Sequence, residues 1–392
     1  MKSIVKVAVA TMGIVAASGT ASAQKLMSLD EGTLHGAFIT HSPKYDSPEV
    51  ILGKIKKYEK EYKKELKFFN LEAKWSFNFG EAPGELPFPE AHVKKFYDNG
   101  ITILARVFPS ADDDWSPEVP NPYDLDAINS GRLDEMLARY FQRLGNLRGS
   151  DGKLIPFLYA FGPEMNGNWF DWSGVFSGAG ITDAYGDPTY PDGPEKYRDA
   201  YRRIIDIARD QGVTNITWAM AYEGHPPSEL QQDVWNDYSY YYPGDEYIDW
   251  IGFSFYGPQS QEIAQWWWEF EEMLTDKYGP RETNWDDILA ISKCRPLAIW
   301  ELGVTRYDLY PTKKANWIRK AYETIKRYPD FRLAAYWHNK AWPGMQNPAE
   351  PETPLEKKYF REAIADLSND FRYSDEDPKC EREDDDRKPD PK

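Results

Sequence analysis

The chain has 392 residues, 41% of them apolar and 15% aromatic, which is ample for a packed core and excludes a disordered polypeptide. Its formal charge of −17 repels nucleic acid and anionic membrane surfaces and disfavours polyanionic ligands, so a neutral partner fits best. Its two cysteines, Cys294 and Cys380, lack metal-ligand spacing and carry no zinc signature.

Residues 1–23 have the pattern of a secretory signal. Lys2 and Lys6 give the positive start, Val7 to Ala17 the apolar centre, and Ala21-Ser22-Ala23 a small-residue cleavage site before Gln24. The apolar stretch is too short to span a bilayer core of ~30 Å comfortably, so cleavage and a secreted or periplasmic product are expected. Loss of both lysines takes the mature charge to −19. No later segment approaches an uninterrupted apolar run of membrane-spanning length.

Eight short apolar or β-branched segments follow, separated by helical patterns. The predicted strands are Leu34–Ile39, Ala73–Phe79, Ile101–Phe108, Leu154–Phe161, Asn215–Ala221, Tyr247–Tyr256, Pro296–Trp300 and Arg332–Trp337. Several are continuous apolar runs, which suits parallel strands covered on both faces. After the first, Ile51, Ile55, Tyr58, Tyr62, Leu66 and Phe69 recur at spacings of three and four and predict a helix. After the fourth, Pro194 opens a helix with Tyr197, Tyr201, Ile204, Ile205 and Ala208 on one face, and Gly212 stops it. Trp317, Ala321 and Ile325 repeat the pattern after the seventh.

Eight such units predict an α/β fold, a single (β/α)₈ barrel over residues 24–370; an open dinucleotide-type sheet would need a Gly-rich turn after its first strand, and none occurs. Long connections, Ser110 to Asn129 and Trp169 to Gly193, leave the third and fourth strands at the end where barrels build their sites. Residues 371–392 are charged and lack an apolar face, so a mostly disordered acidic tail is expected.

The strongest chemical signal is Phe161-Gly-Pro-Glu164-Met-Asn166-Gly-Asn-Trp169-Phe-Asp-Trp172. A carboxylate just past a buried strand points into the barrel mouth, and the paired tryptophans can offer flat faces to sugar rings. Glu301, in Ala298-Ile-Trp-Glu-Leu-Gly303, ends the seventh strand in the same way. Fourth and seventh strands lie nearly opposite, so the two carboxylates can face each other, as two-carboxylate glycoside hydrolysis requires. Tyr256, at the end of the sixth strand, is placed to donate to Glu301, and Trp337, at the end of the eighth, to floor the cleavage subsite. Both also suit a core position. Arg106, His41 and His225 are rim candidates for which a structural role is the stronger expectation. Asp112-Asp113-Asp114 suits a solvated loop better than a shared metal site, with a structural calcium as the alternative.

The Glu-Met-Asn-Gly-x-Trp-x-x-Trp run resembles the acid/base motif of glycoside hydrolase family 26, the β-mannanases and their clan A relatives. Pro194-Glu-Lys-Tyr-Arg-Asp-Ala-Tyr-Arg-Arg, Thr214-Asn-Ile-Thr-Trp218, Asp249-Trp-Ile-Gly252 and Glu301-Leu-Gly303 are similar to its following elements. The likeness covers roughly residues 34 to 345. It implies a retaining hydrolase with Glu164 as acid/base and Glu301 as nucleophile. It also implies no metal or cofactor. The residues themselves give a candidate substrate-binding set of Asn166, Trp169, Trp172, Tyr256 and Trp337, with Arg106 and His41 at its rim. The implied substrate is a neutral β-linked polysaccharide, β-mannan first, with β-glucan and β-1,3-xylan open. The protein is expected to be a monomer. Two positions depart from the family: Pro163 replaces its usual His, and Ala160 replaces a frequent Arg on the same strand. Those departures motivate the alternative, a carbohydrate-binding barrel without catalysis, although both carboxylates are kept.

Two thiols in an oxidising compartment favour one bridge between Cys294, before the seventh strand, and Cys380 in the tail. The last helix leaves the chain on the same face, and a dozen extended residues reach well over 20 Å. The non-reduced secreted protein should therefore show a Cys294–Cys380 peptide pair by mass spectrometry; two alkylatable thiols would exclude it.

Overall fold

The computed structural model describes residues 24–82, 84–111, 119–226, 230, 233–339 and 349–374. Eight parallel strands close into one barrel in chain order. They are β1 (Leu34–Ile39), β2 (Phe68–Lys74), β3 (Thr102–Phe108), β4 (Phe157–Phe161), β5 (Ile216–Glu223), β6 (Trp250–Tyr256), β7 (Leu297–Gly303) and β8 (Phe331–His338). Closure comes from β1 and β8, which pair from Leu34 opposite Leu333 to Ile39 opposite His338. The connections contain α1 (Pro48–Tyr62), α2 (Glu90–Tyr97), α3 (Leu125–Asn129), α4 (Asp134–Leu144) and α5 (Asp192–Asp210). Later connections contain α6 (Tyr238–Tyr241), α7 (Phe270–Thr275), α8 (Asn284–Ile291), α9 (Lys313–Arg327) and α10 (Pro354–Ile364). No helix of the described residues is long and apolar enough to cross a membrane.

Local chemistry sets the helix limits. The Ser47 hydroxyl caps α1 by accepting from the Val50 N–H, Pro48 starts it, and Ile51, Ile55, Tyr58 and Tyr62 form its buried stripe. Lys63 then turns left-handed at φ 54° and ends the helix. That stop corrects the expectation that the helix carries on through Leu66 and Phe69: Phe69 lies in β2. The second strand likewise begins at Phe68, not Ala73. Phe69, Leu71 and Ala73 face the helices, whereas Phe68 faces the barrel interior and Asn70 donates to the Trp300 carbonyl at 2.6 Å. Polar Asn70, Glu72 and Lys74 share that inward-facing parity, so this strand alternates and a search for apolar runs passes over it.

Two apolar layers result, one between sheet and helices and one inside the barrel, where Leu34, Phe68, Leu104, Leu158 and Trp250 pack. The foot of the barrel is covered by Lys25–Leu26, paired antiparallel with Tyr373–Ser374. The Leu26 N–H donates to Thr217 Oγ1 at 2.9 Å, Trp250 Nε1 donates to the Leu26 carbonyl at 2.9 Å, and Lys25 meets Asp249 at 2.6 Å. Strand pairing is thus found past residue 370, at Tyr373–Ser374; residues 375–392, with Cys380, lie outside the described residues. Cys294 is disulfide-bonded and precedes β7 at the foot.

One irregularity aims the site. Along β6 and β7, Phe253 pairs with Ile299 and the next pair is Ser254 with Glu301, so Trp300 is an extra residue. By strict alternation Ala298 and Trp300 would face inward and Glu301 outward. The bulge lets both face inward: Trp300 Nε1 donates to the Met220 carbonyl at 2.7 Å, and Glu301 rises into the mouth. Gly252 opposite makes this possible, because a Cβ there would fall on Trp300 Nε1. Gly252→Ala should therefore destabilise the fold by about 1–3 kcal/mol, through overpacking. An unchanged urea midpoint would contradict this packing.

Candidate active site

Glu164 sits in the turn after β4 with a left-handed φ of 57°, which costs a residue with a Cβ about 1–2 kcal/mol. The surroundings fix it there. Its N–H donates to the Ala221 carbonyl at 2.6 Å, its own carbonyl accepts from Gly167 N–H at 3.0 Å, and Trp169 Nε1 donates to Oε2 at 3.0 Å. The carboxylate is thereby turned inward, and the residue is 7% exposed.

Across the mouth, Glu301 is 3% exposed. Its Oε1 is ion-paired to Arg106 Nη1, its Oε2 accepts from the Tyr256 hydroxyl, and Arg106 Nη2 also lies 3.6 Å from Glu164 Oε1. One buried guanidinium thus spans the two carboxylates. Burial pushes Glu301 up to about 8, Glu164 pushes the same way, and Arg106 and the Tyr256 hydroxyl oppose the shift by favouring the carboxylate. Arg106, a rim candidate by sequence, is therefore at the centre. Ala160 is its register partner on β4.

The structure adds a residue that the sequence analysis passed over. Glu223 ends β5 as Glu301 lies near the end of β7, is 6% exposed, and accepts from the His225 N–H at 2.9 Å. Burial, then the nearby charge of Glu164, push it well above the usual carboxylate range. The usable signal was present: an acidic residue closing the apolar run Trp218 to Tyr222, the feature that singled out the other two.

The expected binding set divides. Trp169 stays 37% exposed beside Glu164. Trp337 stacks on Phe38 at 3.7 Å and meets Tyr256 edge-on at 6.2 Å, with Arg106 5.9 Å from its ring, so it borders the carboxylates. Four expectations need correction. Trp337 is only 4% exposed, so it lies beneath the carboxylates and offers no open floor for a sugar ring. Trp172 is buried, stacked on Phe170 at 4.4 Å and donating to the Pro163 carbonyl at 2.9 Å; it props the turn from behind. Asn166 is wholly buried, with its amide donating to the Glu223 carbonyl and accepting from the Glu223 N–H, both at 2.8 Å. It fastens β5 to the Glu164 turn and has no surface left for a sugar. His41 packs between Phe38 and Phe69 with Nδ1 2.7 Å from the Ile39 carbonyl, and burial pushes it down to about 4. It stands one ring behind Trp337. His225 contacts Tyr278 and Trp268 at 4.8 and 5.7 Å. Among the described residues, no group of three or more His, Cys, Asp or Glu side chains is arranged to hold a metal ion. Asp112 to Asp114 lie outside them.

The profile of glycosyl hydrolase family 26 matches residues 113–324, more than half of the chain, and that stretch holds Glu164, Glu223 and Glu301. The chain belongs to this family. It is 25% identical over 325 residues to Endoglucanase H of Acetivibrio thermocellus, covering 82% of this chain and 29% of that protein. It is 28% identical over 128 residues to the Mannan endo-1,4-beta-mannosidase of Bifidobacterium adolescentis, covering 32% of this chain and 11% of the relative. The chain therefore spans under a third of either relative's length. A solved β-mannanase of the family from Bacteroides ovatus has the same fold, with a TM-score of 0.53 and 17% identity over 86% of this chain and 89% of that one. The (β/α)₈ barrel of this chain is the fold of that structure. Arg106 lies outside the profile match.

The shared guanidinium makes a signed prediction. In Arg106→Gln the charge that favours ionised Glu301 is gone, so Glu301 should take up its proton at higher pH. Its carboxyl-carbon NMR titration should move up by about 1–3 pH units. A titration that stays in place would show that Arg106 does not govern Glu301.

Proposed function

We propose that this hydrolase cleaves neutral β-1,4-linked mannan by double displacement, with Glu301 as nucleophile and Glu164 as acid/base. The observation that carries the reading is Arg106 in contact with both carboxylates. A single guanidinium between them supports the separation of about 5–5.5 Å used when one carboxylate attacks the anomeric carbon directly.

In the first step Glu164 protonates the glycosidic oxygen while Glu301 attacks. Ion pairing to Arg106 and the Tyr256 hydroxyl keeps Glu301 oriented and favours its ionised form. Glu164, now a carboxylate, then draws a proton from the water that releases the sugar. The exposed face of Trp169 suits stacking on a pyranose ring. The acidic mouth disfavours polyanionic glycans. Mannan is supported by the names of the Bifidobacterium and Bacteroides proteins. A β-glucan is the second reading, because the Endoglucanase H likeness covers most of this chain. The amino-terminal pattern supports export to the periplasm or medium before the enzyme meets its polymer.

Assays on β-1,4-mannan, mixed-linkage β-glucan and β-1,3-xylan should show the highest kcat/KM on mannan, with the β-anomer as first product by proton NMR. Glu301→Ala should cut kcat by at least about 10⁴-fold. Glu164→Gln should cut it by about 10²–10⁴-fold, and less for aryl glycosides with good leaving groups. A first-formed α-anomer, or full activity in either variant, would overturn the mechanism; preference for glucan would overturn the substrate.

A further inference from the structure

The connections after β6 and β7 carry a second group of aromatic side chains, on the face of the barrel where the cleft opens. Trp266, Trp267 and Trp268 run consecutively after β6, and Tyr307 and Tyr310 follow β7. The two connections are fastened to each other. Thr305 N–H donates to the Pro258 carbonyl at 2.9 Å, Asp308 N–H donates to Gln261 Oε1 at 3.0 Å, and Gln261 Nε2 donates to the Arg306 carbonyl. The Lys313 ammonium, at the start of α9, lies 5.0 Å from the Trp267 ring, 5.2 Å from Tyr310 and 5.7 Å from Tyr307. One cation thus gathers rings from both connections. Trp268 joins the group to the cleft: its Nε1 donates at 3.0 Å to the carbonyl of Tyr256, whose hydroxyl meets Glu301.

Tyr307 is buried in this group, whereas Trp266 is 65% exposed and Tyr310 57%. Exposed rings gathered in one patch mark a contact surface. Gln265 and Asp308, both exposed, stand beside them in the chain. Flat rings interleaved with amide and carboxylate groups match a pyranose, which presents C–H faces and hydroxyl edges.

We propose that this aromatic shelf is a second carbohydrate site, outside the cleavage cleft, that holds a further stretch of the same neutral β-linked polysaccharide. The proposal rests on the reading of the cleft as one that takes such a polymer. Continuity with the cleft names the occupant: a polymer leaving over the end of β6 runs onto these connections. Holding it at a second point raises its effective concentration at the carboxylates without any new contact at the cleavage point. A short substrate gains nothing from the shelf.

The test compares the full chain with its Trp266→Ala/Tyr310→Ala variant. Substrates are β-1,4-mannan, mixed-linkage β-glucan and β-1,3-xylan, and aryl disaccharides of the same linkages. On whichever polymer the full chain hydrolyses, KM should rise about three- to tenfold with kcat unchanged. On the matching aryl disaccharide kcat/KM should stay the same. An unmoved polymer KM overturns the shelf. An equal loss on the aryl disaccharide also overturns it, because the substitutions then act in the cleft. Trp266→Phe/Tyr310→Phe keeps flat faces and should keep the polymer KM; a rise equal to that of the alanine pair overturns stacking. If the alanine pair does not fold, Trp266→Gln and Tyr310→Ser are measured singly by the same criteria. Hydrolysis of none of the polymers sinks the cleft reading alone, and affinity electrophoresis in gels holding each polymer then decides the shelf. Retardation lost in the alanine pair upholds it; no retardation, or retardation that survives the substitutions, overturns it. Sedimentation showing a dimer of the full chain and a monomer of the variant assigns the rings to a second copy, which overturns it too.

Discussion

Charge drawn into the mouth of a barrel has to be met there, because the walls keep out the water that would otherwise solvate it. Arg106 is the group that meets it, almost fully buried and reaching from β3 to Glu301 on β7 and to Glu164 after β4. Removing one member of such a set leaves an uncompensated buried charge, which costs about 3–5 kcal/mol. The contact that prepares the chemistry therefore also ties distant strands together. Lysine would be a poor substitute, since a point charge cannot address two carboxylates with separate nitrogens.

Delivering carboxylates to this cation takes local distortion. Glu301 faces inward because β7 carries an extra residue, and Glu164 because its backbone is left-handed. Both distortions are held by ordinary packing: Trp300 fills the space over Gly252, and Trp172 braces the turn through the Pro163 carbonyl. Strain at the site is thus stabilised by aromatic burial around it.

Legibility in the sequence follows from the same physics. Strands with apolar residues on both faces were found to within a few residues, since a parallel sheet covered by helices leaves a continuous signal. The second strand was misplaced because its inward face is polar near the mouth, and spacing by three and four ran on past the end of α1 by coincidence. Glu164 and Glu301 were legible as acids that close apolar runs. Glu223 fits that rule too, but the strand had been ended at Ala221, so it was taken for a loop residue. Arg106, Asn166 and Trp172 could not be sorted from sequence, because their roles depend on which neighbour each side chain reaches across the barrel. A tryptophan that stacks on sugar and one that braces a turn look alike until the turn is built.

The short pair of strands under the barrel has a consequence of another kind. Lys25–Leu26 and Tyr373–Ser374 lie side by side at the foot, tied to the starts of β3, β5 and β6 through Thr102, Thr217 and Asp249. The first and last described segments of the barrel are therefore neighbours, on the face opposite the carboxylates. A barrel wired in this way behaves as a cassette. Anything joined to these two segments leaves from the foot, and the cleft opens on the other side.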